Sequence, residues 1–284
     1  MLLRELVVHA TERFKESGID SAEVDAQLLA AHLLGLSRGE VQSEMIRGAE
    51  LSEAQSEKLA EMFGRRLLRV PLQHITGVAY FRNLELAVGR GVFTPRPETE
   101  FVAQLAIDAL NAARSEAPIA IDLGTGSGAI ALAMATEVNH SRVFAVEKSN
   151  EAFPFTQQNF QKYSDTSATL VLGDLADAFQ ELDGTVSVVA SNPPYIPLDA
   201  VPRDIEVKLH DPQIALYGGA DGMQVMRLVS KSAKRLLLPG GSLVVEHADS
   251  QGKQVCELLL ADGWNNVLSH KDLTGRDRAV TATK

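Results

Sequence analysis

Ile119-Ala120-Ile121-Asp122-Leu123-Gly124-Thr125-Gly126-Ser127-Gly128-Ala129-Ile130-Ala131-Leu132-Ala133 changes its period twice. Ile119 to Leu123, apolar but for Asp122, has strand length, three alternating glycines follow, and Ala129 to Ala133 opens a helix. A glycine turn between a strand and a helix lets the backbone approach a ligand and leaves N–H donors at the helix start. The spacing is Gly-x-Gly-x-Gly after Asp122, not the Gly-x-Gly-x-x-Gly of dehydrogenases, and so favours an adenosyl group without a pyrophosphate. Outward from this unit, strand and helix patterns alternate. Val143 to Val146, Thr169 to Leu172 and Val186 to Ala190 read as strands. Met223 to Leu237 and about Gln251 to Ala261 read as helices, with a turn at Pro239-Gly240-Gly241 and a strand over Ser242 to Glu246. Strands near Asn266–Ser269 and Ala279–Thr283 close the chain. That alternation predicts an α/β, doubly wound sheet.

In such sheets ligands sit at the carboxyl ends of the strands, and the strand ends here carry polar groups. The second strand ends in Glu147, nineteen residues past Gly128, where a carboxylate can accept from both hydroxyls of a ribose. The third ends at Gly173-Asp174-Leu175; Asp174 can accept from an adenine amine while Leu175 packs on the ring. The fourth runs into Ser191-Asn192-Pro193-Pro194-Tyr195. Two prolines cannot continue a central strand, since neither has an N–H and φ is fixed. The carbonyls of Asn192 and Pro193 are thereby released from sheet pairing. The Asn192 amide adds an acceptor and two donors, and Tyr195 a flat apolar face. Together they can hold a planar group bearing an –NH2. His247 has no nucleophile beside it and reads as structural, and Trp264 as packing.

The 284 residues suggest about two domains, and 45% hydrophobic content is enough for real cores. No apolar run approaches a membrane span. The start, Met1-Leu2-Leu3-Arg4-Glu5, lacks a signal-peptide layout. Cys256 is the only cysteine, which excludes an internal disulfide and a cysteine-based zinc site and fits a reducing cytoplasm. A net charge of −10 argues against a protein that grips duplex DNA through its phosphates.

Residues 1–75 read as a helical bundle. Leu3, Leu6, Val7 and Ala10 have helical spacing, and Gly18 ends that helix. Asp20 or Ser21 caps a second helix, and Ser52 with Gln55 forms a capping box before Leu59, Met62, Phe63 and Leu67. Arg65, Arg66 and Arg69 cluster either as a solvated face or as a contact for an acidic partner. Residues 76–95 read as a β-hairpin linker, and 96–284 as the catalytic domain. Pro95-Arg96-Pro97-Glu98 makes a stiff loop before a helix. The long irregular stretch from Tyr195 to about Gly222 is of a length that is usually functional.

These strings name a family. Over nearly its whole length the chain resembles the bacterial release-factor glutamine N5-methyltransferases (PrmC/HemK type). The resemblance is carried by Pro71 to Gly77, Pro95 to Glu100, Asp122 to Gly128, Asn192 to Tyr195, Asp211-Pro212 with Ala215-Leu216, Gly240-Gly241 with Glu246, and Asp272 to Arg278. The Pro-Arg-Pro string and the helical N-terminal region discriminate; Asn-Pro-Pro-Tyr is shared with DNA adenine and RNA guanine methyltransferases. The chain departs from the family at Glu147, where Asp is common, at His210 before Asp211-Pro212, and at His247.

The resemblance implies a class I S-adenosylmethionine-dependent methyltransferase fold, Rossmann-like, with seven strands and the last antiparallel, behind a small helical domain that recognises substrate. It implies S-adenosyl-L-methionine as cofactor, S-adenosyl-L-homocysteine as product and no metal. Class I peptide release factors would be the substrate, methylated on the glutamine of a Gly-Gly-Gln tip by a cytoplasmic monomer. Asn192, Pro193, Pro194 and Tyr195 would bind substrate, with Asn192, Pro193 and Tyr195 catalytic. Gly124, Thr125, Gly126, Ser127, Gly128, Glu147, Asp174, Leu175 and Asn192 would hold the cofactor. Two rivals remain in view. A nucleic-acid amino-methyltransferase would need a basic face and stacking aromatics, whereas Phe14 and Phe63 are the only aromatics of the helical region. A non-catalytic binding protein on a vestigial fold would not need the intact glycine turn.

Overall fold

Leu3, Val7, Ala10 and Phe14 fall on one buried face of α1 (Leu3–Glu16). The helix stops where Gly18 turns left-handed at φ 71°, letting Ile19 N–H reach back to Phe14 O at 3.0 Å. In the computed structural model, which describes residues 1–202 and 204–284, four more helices follow: α2 (Ala22–Leu34), α3 (Arg38–Arg47), α4 (Glu53–Leu67) and α5 (Leu72–Thr76). The Ser52–Gln55 capping box forms at the start of α4, and Ser37 with Glu40 makes a second one on α3. Ser21 stands at the α2 cap position without a side-chain cap bond. Leu29, Leu59, Met62 and Phe63 close the core, with Phe14 edge-on to Phe63 at 5.8 Å.

The chain continues through β1 (Val78–Phe81), β2 (Leu84–Ala87), α6 (Thr99–Asn111), β3 (Ile119–Leu123), α7 (Ala129–Glu137), β4 (Arg142–Glu147), α8 (Phe153–Lys162), β5 (Ala168–Leu172) and β6 (Val186–Ser191). Then come α9 (Ile205–His210), α10 (Gln213–Leu216), α11 (Gln224–Leu236), β7 (Leu237–Glu246), α12 (Gly252–Ala261), β8 (Asn265–Lys271) and β9 (Asp277–Thr283). Seven strands form one sheet in the order β5-β4-β3-β6-β7-β9-β8. The pairs from β5 across to β7 are parallel; β9, last in the chain, runs antiparallel between β7 and β8.

Successive β3 residues point to opposite faces. Ala120 packs with α6 and α7, while Ile121 and Leu123 pack with α11, α12 and Trp264. The strand order reverses between β3 and β6, and this is the switch point where doubly wound sheets bind ligands. Pro239-Gly240-Gly241, expected as a turn, lies within β7. Val186 pairs with Leu237 but Val188 pairs with Ser242, so the intervening residues bulge out of register. The bulge still bonds, because Gly240 N–H donates to Lys284 O and Lys284 N–H to Gly241 O.

The molecule divides into two compact units. One is Met1–Gly77 with the stretch carrying α9; the other is Val78–Pro202 with Asp211–Lys284. The hairpin thus clusters with the sheet, where Asn159 of α8 brackets Ala87, accepting from its N–H at 2.6 Å and donating to its carbonyl at 3.0 Å. α9 clusters with the helices although its sequence lies in the stretch expected to be catalytic.

Within the helical unit the expectation for the arginine cluster is corrected. Arg66 is buried and pairs with Asp25 at 2.7 Å and with Glu206 of α9 at 3.0 Å. Arg69 also pairs with Glu206 at 3.0 Å and donates to the carbonyls of Ser17 and Gly18. Arg65 donates to His74 O. These side chains are neither a solvated face nor a free basic patch. Basic residues near a helix end look alike in sequence whether they meet water or a distant carboxylate.

Candidate active site

The glycine turn after β3 is built from positive φ. Gly124, Gly126 and Gly128 sit at 77°, 57° and 88°, a region where a side chain would strain the backbone. Gly124 and Thr125 both donate N–H to Val146 O, at 3.1 and 3.0 Å, binding the turn to β4. Asp122 ties it from below: its Oδ2 accepts from Thr125 Oγ1 at 2.6 Å and from Ala131 N–H at 3.1 Å. Burial pushes the Asp122 carboxyl up to about 7. From α8, Thr156 donates to Gly126 O and Asn159 to Ser127 O. The turn is therefore held by its neighbours before any ligand arrives.

Glu147 closes β4 beside the turn. Its Oε2 accepts from Gly126 N–H at 2.8 Å and its Oε1 from Ser149 N–H at 2.7 Å. Burial raises its carboxyl above the ordinary value, against those backbone donors. Asp174, after β5, is held low chiefly by Lys148, whose Nζ donates to Oδ2 at 2.8 Å; Ala176 N–H donates to Oδ1. Leu175 packs against the core. A side chain added at Gly124 or Gly126 would point into open space. Such open space, with carboxylates at the ends of β4 and β5, suits a nucleoside bearing hydroxyls and an amine. The residues present fit an adenosyl cofactor.

Asn192 to Tyr195 leave the end of β6 on the other side of the switch point. Ser191 anchors the exit, donating to Leu123 O at 2.6 Å. The segment beyond is better ordered than its sequence suggests. Ile196 N–H donates to Leu216 O, Gly218 N–H to Ile196 O, and Leu198 N–H to Gly219 O. Gly222, at φ 71°, lies so close that an added Cβ would stand 2.3 Å from Tyr195 O. Gln251 Nε2 donates to that same carbonyl at 3.0 Å. The Gly218–Gly222 string holds the backbone of the Asn-Pro-Pro-Tyr string in place.

Several buried polar residues around Asn192 carried no role in the sequence reading. Thr99, the first residue of α6, accepts from Asn192 Nδ2 at 3.4 Å. Glu246, the last residue of β7, is 1% exposed and has the side chains of Thr99 and Asn192 beside it. Burial pushes its carboxyl up to about 7, against those side chains and the nearby Arg278. Arg278 is held by Asp272 at 3.1 Å. Burial works against the Asp272 charge, but bonds from Thr274, Arg276 and Arg278 bring its carboxyl down to about 2. Arg96 of the Pro-Arg-Pro string pairs with Asp211 at 2.6 Å and lies over the Phe93 ring. That pair joins two strings the sequence showed only separately. His247 is fully buried, and burial lowers its pKa, so it is neutral and structural. His210 lies in the helical unit, its Nε2 3.2 Å from Leu68 O.

This sheet order, with a glycine turn at β3 and an Asn-Pro-Pro-Tyr exit at β6, defines the class I S-adenosylmethionine-dependent methyltransferase fold. A solved methyltransferase from Pyrococcus furiosus shares that fold: TM-score 0.52, 19% identity, covering 78% of this chain and 97% of that one. Residues 5–77 match the model of the PrmC N-terminal domain, and residues 83–209 that of the methyltransferase small domain. A release factor glutamine methyltransferase from Streptomyces coelicolor is 47% identical, over 100% of this chain and 98% of that protein. A 4-amino-L-phenylalanine/4-methylamino-L-phenylalanine methyltransferase from Streptomyces pristinaespiralis is 36% identical, over 99% and 95%. The chain belongs to the release factor glutamine methyltransferase family.

Proposed function

We propose that this protein transfers a methyl group from S-adenosylmethionine to the side-chain amide nitrogen (N5) of the glutamine in the Gly-Gly-Gln loop of class I peptide release factors, in the cytoplasm. The observation that carries the reading is the Asn192–Tyr195 exit at the switch point, in a chain 47% identical end to end to a release factor glutamine methyltransferase. When bound, the cofactor supplies an electrophilic methyl group on a sulfonium sulfur. The backbone of Gly124, Thr125, Gly126, Ser127 and Gly128 would give it room, Glu147 would accept from the ribose, Asp174 would accept from the adenine amine, and Leu175 would pack on the ring.

An amide nitrogen is a poor nucleophile because its lone pair is delocalised into the carbonyl. Asn192 Oδ1 and the Pro193 carbonyl accept the two hydrogens of the substrate –NH2, directing lone-pair density out of the amide plane. Pro194 stiffens the loop, and Tyr195 packs against that plane. Once the methyl–nitrogen bond has formed, the cationic nitrogen is strongly acidic and gives its proton to solvent water, so no strong base is required. Holding the two reactants in line is the main contribution and can be worth about 7–11 kcal/mol. Accordingly Asn192→Ala should cut turnover by about a hundredfold or more, while calorimetry finds much of the cofactor affinity retained. Wild-type turnover in that variant would sink the mechanism.

The helical unit supplies recognition remote from the reacting atom. With the arginines committed internally, Ile205 and Leu209, apolar and exposed on α9, are the candidate contacts. Leu209→Ser should raise KM for intact release factor and leave cofactor affinity unchanged; an unchanged KM removes Leu209 from the contact.

The Streptomyces pristinaespiralis relative favours one other reading, an aromatic amine as acceptor, because the same two oxygens would suit any –NH2. Labelled cofactor offered with release factor, with duplex DNA or with 4-aminophenylalanine decides among them. Label should appear in the release factor glutamine; label confined to DNA or to the amine overturns the proposal.

A further inference from the structure

We propose that Glu246 is a positioning residue: its buried carboxylate, acting with Thr99, holds the Asn192 amide with both N–H donors turned into the protein, so that Oδ1 is presented to the substrate. The inference rests on the amide methyl transfer proposed above. An asparagine amide can sit in either of two orientations, one presenting an acceptor and the other a donor. Only the acceptor can receive a hydrogen from a substrate –NH2. Something in the protein must choose between them.

The strand register puts the chooser beside the amide. Ser191 pairs with Val245, which brings the following residues, Asn192 and Glu246, level across the β6–β7 pair. A carboxylate accepts and never donates. The side chains of Thr99 and Asn192 stand close enough to the carboxylate to draw its pKa down as donors, and Asn192 Nδ2 reaches Thr99 Oγ1 at 3.4 Å. Thr99 has a single hydroxyl proton. When that proton goes to Glu246, the Thr99 oxygen is free to accept from Asn192. Both amide donors are then engaged inward, and Oδ1 takes no part in the network. Glu246 Oε2 has no hydrogen-bond partner among the described residues although the residue is 1% exposed. An unsatisfied buried carboxylate oxygen is costly, and packing alone gives no reason to keep one here.

The choice is lost on protonation. A protonated Glu246 offers a donor as well as an acceptor, so it no longer excludes the orientation that turns Oδ1 inward and presents –NH2 to the substrate, which is the wrong group. The charged and titratable groups that face Glu246 are Arg278 from β9, Glu98 from the segment before α6, and Tyr195 from the β6 exit. Arg96 lies near Tyr195, and Asp272 holds Arg278. Burial outweighs the arginine and places the carboxyl at about 7. Turnover should therefore rise with pH through that region as Glu246 loses its proton.

The test uses the full chain, with wild type, Glu246→Gln and Glu246→Asp. Methyl transfer to intact release factor is followed from about pH 6 to 9, a span set by the ordinary titration range around such a group. Glu246→Gln should lower kcat about tenfold, the factor expected when one charge-assisted hydrogen bond is lost. KM for release factor and cofactor affinity should hold, the rise near neutrality should vanish, and Glu246→Asp should restore part of the rate and the pH dependence. A second readout needs no substrate: in protein labelled with 15N-asparagine, the Asn192 side-chain amide signal should shift with pH in wild type and stay fixed in Glu246→Gln. Equal kcat and pH profile in wild type and Glu246→Gln overturns the proposal, as does an Asn192 signal that ignores pH in both. If wild type labels no release factor, the proposed function fails, and the Asn192 signal still decides the positioning role.

Discussion

The arginine cluster of the helical unit and the carboxylates Asp122 and Glu246 of the sheet unit bury charge in opposite ways. In the helical unit Arg66 meets Asp25 and Glu206, and Arg69 meets Glu206 as well. Burial alone would raise the Glu206 carboxyl, but its own backbone N–H and the two guanidiniums outweigh that and hold it low. In the sheet unit Asp122 and Glu246 are buried with one oxygen each unpartnered among the described residues, and both are pushed up to about 7. Paired buried charge resists removal of either partner. Half-satisfied buried charge costs stability and is kept where geometry is needed. The contrast separates a device that holds helices together from one that aims a side chain.

The largest expected effect is on the paired side. Arg66→Ala leaves Asp25 buried without its guanidinium and should cost about 3–5 kcal/mol of stability in urea unfolding. A loss below about 1 kcal/mol, the range of exposed ion pairs, would mean that the cluster behaves as surface charge.

On the half-satisfied side the sign is opposite. The Glu246 pKa is about 7 in the folded chain against an ordinary 4.5. Between those values the folded state keeps a proton that the unfolded state has released. Its stability contribution is therefore present at low pH and lost as pH rises through the window. A glutamine never ionises and keeps that contribution. Glu246→Gln should be more stable than wild type at pH 8 by up to about 3 kcal/mol, with the gap closing towards pH 4.5. A variant that is more stable yet slower would sharpen the contrast; equal melting temperatures at both pH values would break it.

The smallest effect belongs to Glu147, buried and bonded by backbone N–H groups on both oxygens. Glu147→Ala should weaken cofactor binding by about 1.5–3 kcal/mol, the worth of a hydrogen bond to a charged group, and by more than Glu147→Asp does. Calorimetry showing equal affinity for wild type and Glu147→Ala would refute the ribose role.

The amino-acid sequence by itself determined what depends on near neighbours. Glycines at Gly124, Gly126 and Gly128 permit the positive φ that the turn takes, and Ser52 with Gln55 caps α4 from three residues away. Apolar runs set the central strands, and two prolines end β6 whatever lies beside it. Family strings marked Arg96, Asp211, Glu246 and Arg278 without saying that any two of them meet. Only the tertiary structure decided that Arg96 pairs with Asp211, and that Arg66 and Arg69 face Glu206 rather than water. It alone placed α9 with the helices, turned Pro239-Gly240-Gly241 into a bulge, and brought Glu246 level with Asn192. The reason is physical. Turn, cap and strand preferences act over a few residues and leave a trace at a fixed spacing. A hydrogen bond between ends of different strands depends on sheet order and register, which are settled by the packing of the whole core and leave no spacing to read.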